Sequence, residues 1–223
     1  MSQSFLQLIQ GGTAADVTIA LDNDPSLAAY RDAQGVSAVL WAVYSGQLKV
    51  RDLLIAKLAV LGIPLDVFEA AATGNEARLQ AILSENAAAT QAFSGDGWTA
   101  LHLAAAFGTP LSVAALIFRG ARVDAVSQNA QKNQPLHAAL ALGKNPSTIE
   151  LLISHGADVN ATQAGGFTAI FSAAAANRID LAELLMEHGA NPHYPSEQGK
   201  MPADFAREHG HADLAAWFDT LPA

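Results

Sequence analysis

Seven histidines and no cysteine set the chemical limits of this chain. His188 and His193 share one stretch and His209-Gly210-His211 another, and imidazole is a residue type that could hold a zinc-like ion. A helical metal site calls for a spacing such as His-Glu-x-x-His, which is missing here. Thiolate sites and disulfides are excluded by composition. Carboxylates at Asp66, Glu69, Asp96, Asp180 and Glu183 are candidates for acid–base work, and Ser127 and Ser172 for nucleophiles. No nucleophile elbow, phosphate loop or dinucleotide fingerprint accompanies them. A triad built from distant segments is recognised by geometry and not by order, so a hydrolytic or histidine-based metal protein stays as a lesser alternative. The expectation is no enzyme, no cofactor and no metal.

The elements that must position these side chains repeat. Glycines at Gly12, Gly46, Gly74, Gly108, Gly143 and Gly210, with Asn177 in the remaining slot, are spaced by 34, 28, 34, 35, 34 and 33 residues. Gly and Asn tolerate the left-handed backbone that often follows a helix end. Nine residues before them stand Gln3, Ser37, Leu65, Thr99, Gln134, Thr168 and Met201. A Ser or Thr there can cap an orphan amide of the first helical turn, worth about 1 kcal/mol. Pro135 and Pro202 follow two of these positions, where a fixed φ suits helix entry. A period near 34 residues predicts stacked helical units, none able to bury its apolar face alone.

Thr99-Ala100-Leu101-His102-Leu103-Ala104 and Gln134-Pro135-Leu136-His137-Ala138-Ala139 resemble the Thr-Pro-Leu-His-x-Ala signature of the ankyrin repeat. The second helix and hairpin of that family are matched by residues 151–161, Leu-Leu-Ile-Ser-His-Gly-Ala-Asp-Val-Asn-Ala, and again by 184–192. The resemblance implies an all-α solenoid of about seven helix-turn-helix units with short β-hairpin fingers. It also implies that His102 and His137 bond within the hairpin framework, and that the chain binds another protein without catalysis.

The first third departs from this pattern. Residues 1 to 62 align with 63 to 124 at an offset of 62, pairing Gly35 with Gly97 and Ser37 with Thr99, as an early duplication would. Leu53 to Gly62 runs on as helix where the usual hairpin sequence is missing, so a long second helix without a projecting finger is expected. One extra residue near Asn145-Pro146 reads as a loop insertion. No linker or charge block divides the chain, so one domain, 1-223, is expected. Its units fall at about 1-31, 32-62, 63-93, 94-128, 129-162, 163-195 and 196-223. Leu101, Leu116, Leu136, Leu151, Leu184 and Leu185 are expected to supply a continuous core.

A formal charge of −9 opposes the phosphate backbone and no basic stripe alternates with aromatics, so nucleic acid is not an expected partner. No run of the ~18 apolar residues a membrane span needs is present, and no Lys or Arg precedes Arg31 to start a secretory signal. A soluble, cytoplasmic monomer with no membrane contact is expected, with self-association as the structural alternative. Binding is then a property of the surface, in the slots just before each cap residue and each closing glycine. Tyr44, Asp96, Trp98, Phe107, Asn133, Leu142, Phe167 and Lys200 are the candidate protein-binding residues, together with Val36 and Ala106 from the same slots. Aromatic anchors of this kind carry most of the energy of protein interfaces. Trp41, a helix position, and Trp217 and Phe218, in the last helix, are expected to serve the core.

Overall fold

The computed structural model describes residues 2–143 and 145–222. Short helices form in antiparallel pairs: α1 (Ser2–Gly11) with α2 (Ala14–Asn23), α3 (Ala38–Tyr44) with α4 (Leu48–Val60), and α5 (Val67–Thr73) with α6 (Glu76–Glu85). Next come α7 (Ala100–Phe107) with α8 (Pro110–Phe118), and α9 (Pro135–Ala138) with α10 (Pro146–Ser154). The last pairs are α11 (Ala169–Ala175) with α12 (Ile179–Glu187) and α13 (Pro202–Glu208) with α14 (Ala212–Asp219). Most are shorter than the roughly 12 to 15 residues an isolated helix needs in water, so stacking must hold them. The first helices pack on one another from α1 to α3, α5, α7 and α9, and α11 packs on α13; α2 meets α4, and α6, α8 and α10 form an outer row.

Caps fix where the first helices begin. The hydroxyl of Ser37 accepts from the Leu40 amide at 3.2 Å, and that of Thr99 from the His102 amide at 3.4 Å. In the third pair the cap is Asp66 rather than Leu65: its carboxylate takes the Glu69 amide while Glu69 takes the Asp66 amide, both at 2.8 Å. That reciprocal box buries Glu69, with the Arg31 guanidinium 3.4 Å away. Thr168 makes no cap bond, and its buried hydroxyl has no partner among the described residues.

The closing glycines divide into two kinds. Gly46, Gly74, Gly210 and Asn177 adopt positive φ, as the register predicts. Gly108 has φ −83°, and a Cβ there would lie 2.3 Å from the Ala71 carbonyl, so close approach of neighbouring pairs is what requires it.

The fingers are loops rather than hairpins of strand: among the described residues, isolated bridges at Arg31–Ser37 and Phe93–Thr99 are the only β pairing. After the thirteen-residue α4, residues 61–66 lead straight to α5 without a finger. The extra residue of the fifth pair coincides with a π-helical turn, Ala139–Gly143, that continues α9; Lys144 lies outside the described residues.

The core falls into three clusters, and all six leucines expected to form a continuous core belong to or pack against the largest. Phe5, Ile9, Val17, Leu21, Val50, Leu54 and Leu58 form a cluster under α1 to α4, and a larger one runs from Val67 to Phe218. Val36, Leu40, Val43, Ala72 and Leu103 form a third between α3, α5 and α7. Leu101, Leu116, Leu136 and Leu185 are fully buried, whereas Leu151 and Leu184 are half-buried and their places in the core belong to Leu152 and Leu181. Phe218 is buried, Trp217 packs beside it half-buried, and Trp41 is half-buried with its indole N–H donated to Asp32 at 2.9 Å.

Candidate protein-binding groove

Two consecutive fingers are built to one plan. The Ser94 hydroxyl accepts the Trp98 amide at 3.0 Å and donates to Asp96 Oδ1 at 2.6 Å. Ser127 does the same one unit later, accepting the Asn133 amide at 3.1 Å and donating to Asn129 Oδ1 at 3.0 Å. The fingers are tied together by the Gln128 amide on the Gly97 carbonyl at 2.8 Å and by Asn129 Nδ2 on the Asp96 carbonyl at 3.3 Å. Gly97 is required for this approach, since it has φ +83° and a Cβ would fall 2.8 Å from the Asn129 nitrogen.

The second of these fingers, and the one that follows it, are also pinned to a helix by histidine. In His102 Nδ1 accepts from the Thr99 amide at 3.3 Å and lies 2.8 Å from the Thr99 hydroxyl, so Nε2 carries the proton donated to the Asn133 carbonyl at 3.0 Å. His137 repeats this with the Gln134 amide at 3.2 Å and the Ala161 carbonyl at 3.0 Å. Burial pushes the His102 imidazole down to about 4 and lowers His137 for the same reason, so both rings are neutral at physiological pH. Among the described residues no group of three or more His, Asp or Glu side chains could hold a metal ion.

Between the fingers and the ends of α3, α7 and α9 lies a groove of about 800 Å³. Tyr44, Trp98, Phe107 and Leu142 supply its apolar wall, and Gln34, Ser94 to Gly97 and Gln128 to Gln131, from successive fingers, supply the polar remainder. Tyr44 stacks tilted on Phe107, ring centres 5.4 Å apart, and Trp98 meets His102 edge-on at 5.6 Å. The Tyr44 hydroxyl donates to Asp96 Oδ2 at 2.8 Å; burial first, then the neighbouring carboxylates, push its phenol far above the ordinary range. Beyond Tyr44, Phe107 and Leu142 the surface dips again into a depression of about 400 Å³ that Arg51, Asn145 and Thr148 also line.

Five of the candidate residues, Tyr44, Asp96, Trp98, Phe107 and Leu142, therefore converge on one groove. Three do not join them. Phe167 packs against Phe171 and Phe205 at 5.2 and 5.3 Å, and Lys200 pairs with Glu208 at 2.7 Å. Asn133 is 4% exposed, buried by the very hydrogen bonds that hold its finger, and so are Val36 and Ala106. Val36, Trp98, Asn133, Phe167 and Lys200 all stand immediately before a cap residue, a slot that turns inward; the larger side chains of Trp98, Phe167 and Lys200 still reach the surface. The outward tip comes two residues earlier, at Gln34, Asp96 and Gln131. Gln34 was missed although the 62-residue offset pairs it with Asp96.

The comparisons with known proteins agree with this architecture. The family model described as Ankyrin repeats (3 copies) matches residues 67–163, 104–196 and 136–218. B-cell lymphoma 3 protein homolog of Mus musculus is 32% identical over 119 residues, which is 53% of this chain and 26% of that protein. An ankyrin repeat-containing protein of Treponema pallidum (strain Nichols) is 35% identical over 111 residues, 50% of this chain and 37% of the other. Potassium channel AKT1 of Oryza sativa subsp. indica is 35% identical over 91 residues, covering 40% of this chain and 10% of the channel. The chain thus spans well under half the length of each of these relatives. With matched segments that together run from residue 67 to 218, capped helix pairs and the Leu-His bonding pattern, the chain belongs to the ankyrin-repeat family.

Proposed function

We propose that this chain is a non-catalytic protein-binding module, a single stack of the seven units delimited above, that acts as a monomer and grips its partner in the groove between the second-unit to fifth-unit fingers and α3, α7 and α9. The observation that carries the reading is the wall of four half-exposed apolar side chains beside polar fingers. Large aromatics beside a polar rim are the composition of interface anchors. The groove's fingers are fixed by Ser94, Ser127 and His102 before any encounter, so binding costs less loop ordering than a mobile surface would demand.

Replacing Trp98 and Phe107 together by Ala tests the groove. Pull-down of natural partners from the native extract is expected to be lost while the helical circular dichroism signal persists. Retention of the same partners by the folded double variant would overturn the assignment.

A further inference from the structure

We infer that the groove takes an extended segment of the partner in which a large apolar side chain stands beside a lysine or arginine, a reading that rests on the groove assignment above. Charge supplies the first argument. Asp96 is the ionisable carboxylate of the lining, and among the described residues no Lys or Arg lines that part of the groove. Asp32 lies close enough to Tyr44 to act on it electrostatically together with Asp96, whereas Asp66 is paired with the Arg31 guanidinium at 2.8 Å. Asp96 spends one bond on Tyr44 and one on Ser94, which leaves lone pairs and the full negative charge to face the opening. The chain as a whole carries −9.

Hydrogen-bonding capacity supplies the second. The side-chain amides of Gln34, Gln128 and Gln131 are exposed on the rim and make no hydrogen bond among the described residues. Amides donate and accept, as does the backbone of an extended peptide, so the rim is suited to a strand-like segment of main chain. The apolar wall receives one of its side chains and the acidic field the neighbouring cation.

Selection of a displayed library of random dodecapeptides on the full chain tests this. Recovered sequences are expected to place an aromatic or large aliphatic residue within two or three positions of a Lys or Arg. Their affinity should fall about tenfold for Gln131→Lys, an exposed change that touches no internal bond, and should weaken further with salt. Asp96→Asn, which keeps an acceptor for Tyr44, should act in the same direction. Peptides without enriched cations, or binding indifferent to Gln131→Lys and to salt, overturn the inference while leaving the groove in place. Peptides that bind the Trp98 and Phe107 double variant as well as the parent overturn the groove itself. A dimer in light scattering that the same double variant dissolves would identify a second copy as the occupant and overturn the inference too.

Discussion

At the scale of single residues, Tyr44 links two parts of the stack that are far apart in sequence. Its hydroxyl reaches Asp96 across 52 positions and its ring rests on Phe107, so the second unit is clamped to the fourth. Tyr44→Phe keeps the ring and removes the donor. The variant is expected to lose about 1 kcal/mol in urea unfolding, the worth of a partly exposed bond to a charged acceptor. An unchanged midpoint would mean that water replaces the hydroxyl at no cost. Glycines behave by position: Gly46→Ala strains only a positive φ and should cost about 1 kcal/mol. Gly108→Ala must displace the Ala71 carbonyl, so thermal melts should rank it clearly the more damaging of the two.

At the scale of elements, the histidine pins make the fingers sensitive to acid. His102 and His137 are neutral in the folded protein, whereas the unfolded chain takes up protons below pH 6.5. The unfolded state therefore binds more protons between pH 6.5 and about 4, and stability must fall as pH drops through that window. Urea midpoints measured from pH 7 to pH 4 should show this loss, and His102→Gln should flatten part of it; a parallel profile would refute the pin. The first helices were legible because a capping Ser37 or Thr99, or an entry proline at Pro135 and Pro202, announces several of them and Gly or Asn closes them. The direction of the slot before each cap was not. Asn133 reads as a surface residue until the bond its main-chain amide donates to Ser127 and the one its carbonyl accepts from His102 are seen, because burial there is set by the finger's own fold. The π turn over Ala139–Gly143, which carries half-exposed Leu142 to the groove, likewise has no local signature beyond one additional residue.

At the scale of the whole molecule, the stack behaves as linked neighbours rather than one core. Leu136 lies in the large cluster and is fully buried, so Leu136→Ala should cost about 2 to 5 kcal/mol by cavity formation. Leu54, in the cluster under α1 to α4, should when truncated raise hydrogen exchange there before it does so in α11 to α14. The repeat period made this near-linear architecture readable from sequence. Where the finger after α4 is missing, residues 61–66 offer only Leu65 to the buried core, and the small cluster between α3, α5 and α7 joins the first two pairs to the rest.

Rigid fingers and an aromatic wall gripping another protein are the centre of this account, and hydrogen exchange on a complex with a partner recovered by pull-down tests it most directly. Protection is expected in residues 94–98, 128–131 and the C-terminal turns of α3 and α7. Protection confined to the outer row of α6, α8 and α10, with those fingers exchanging as in the free chain, would contradict it.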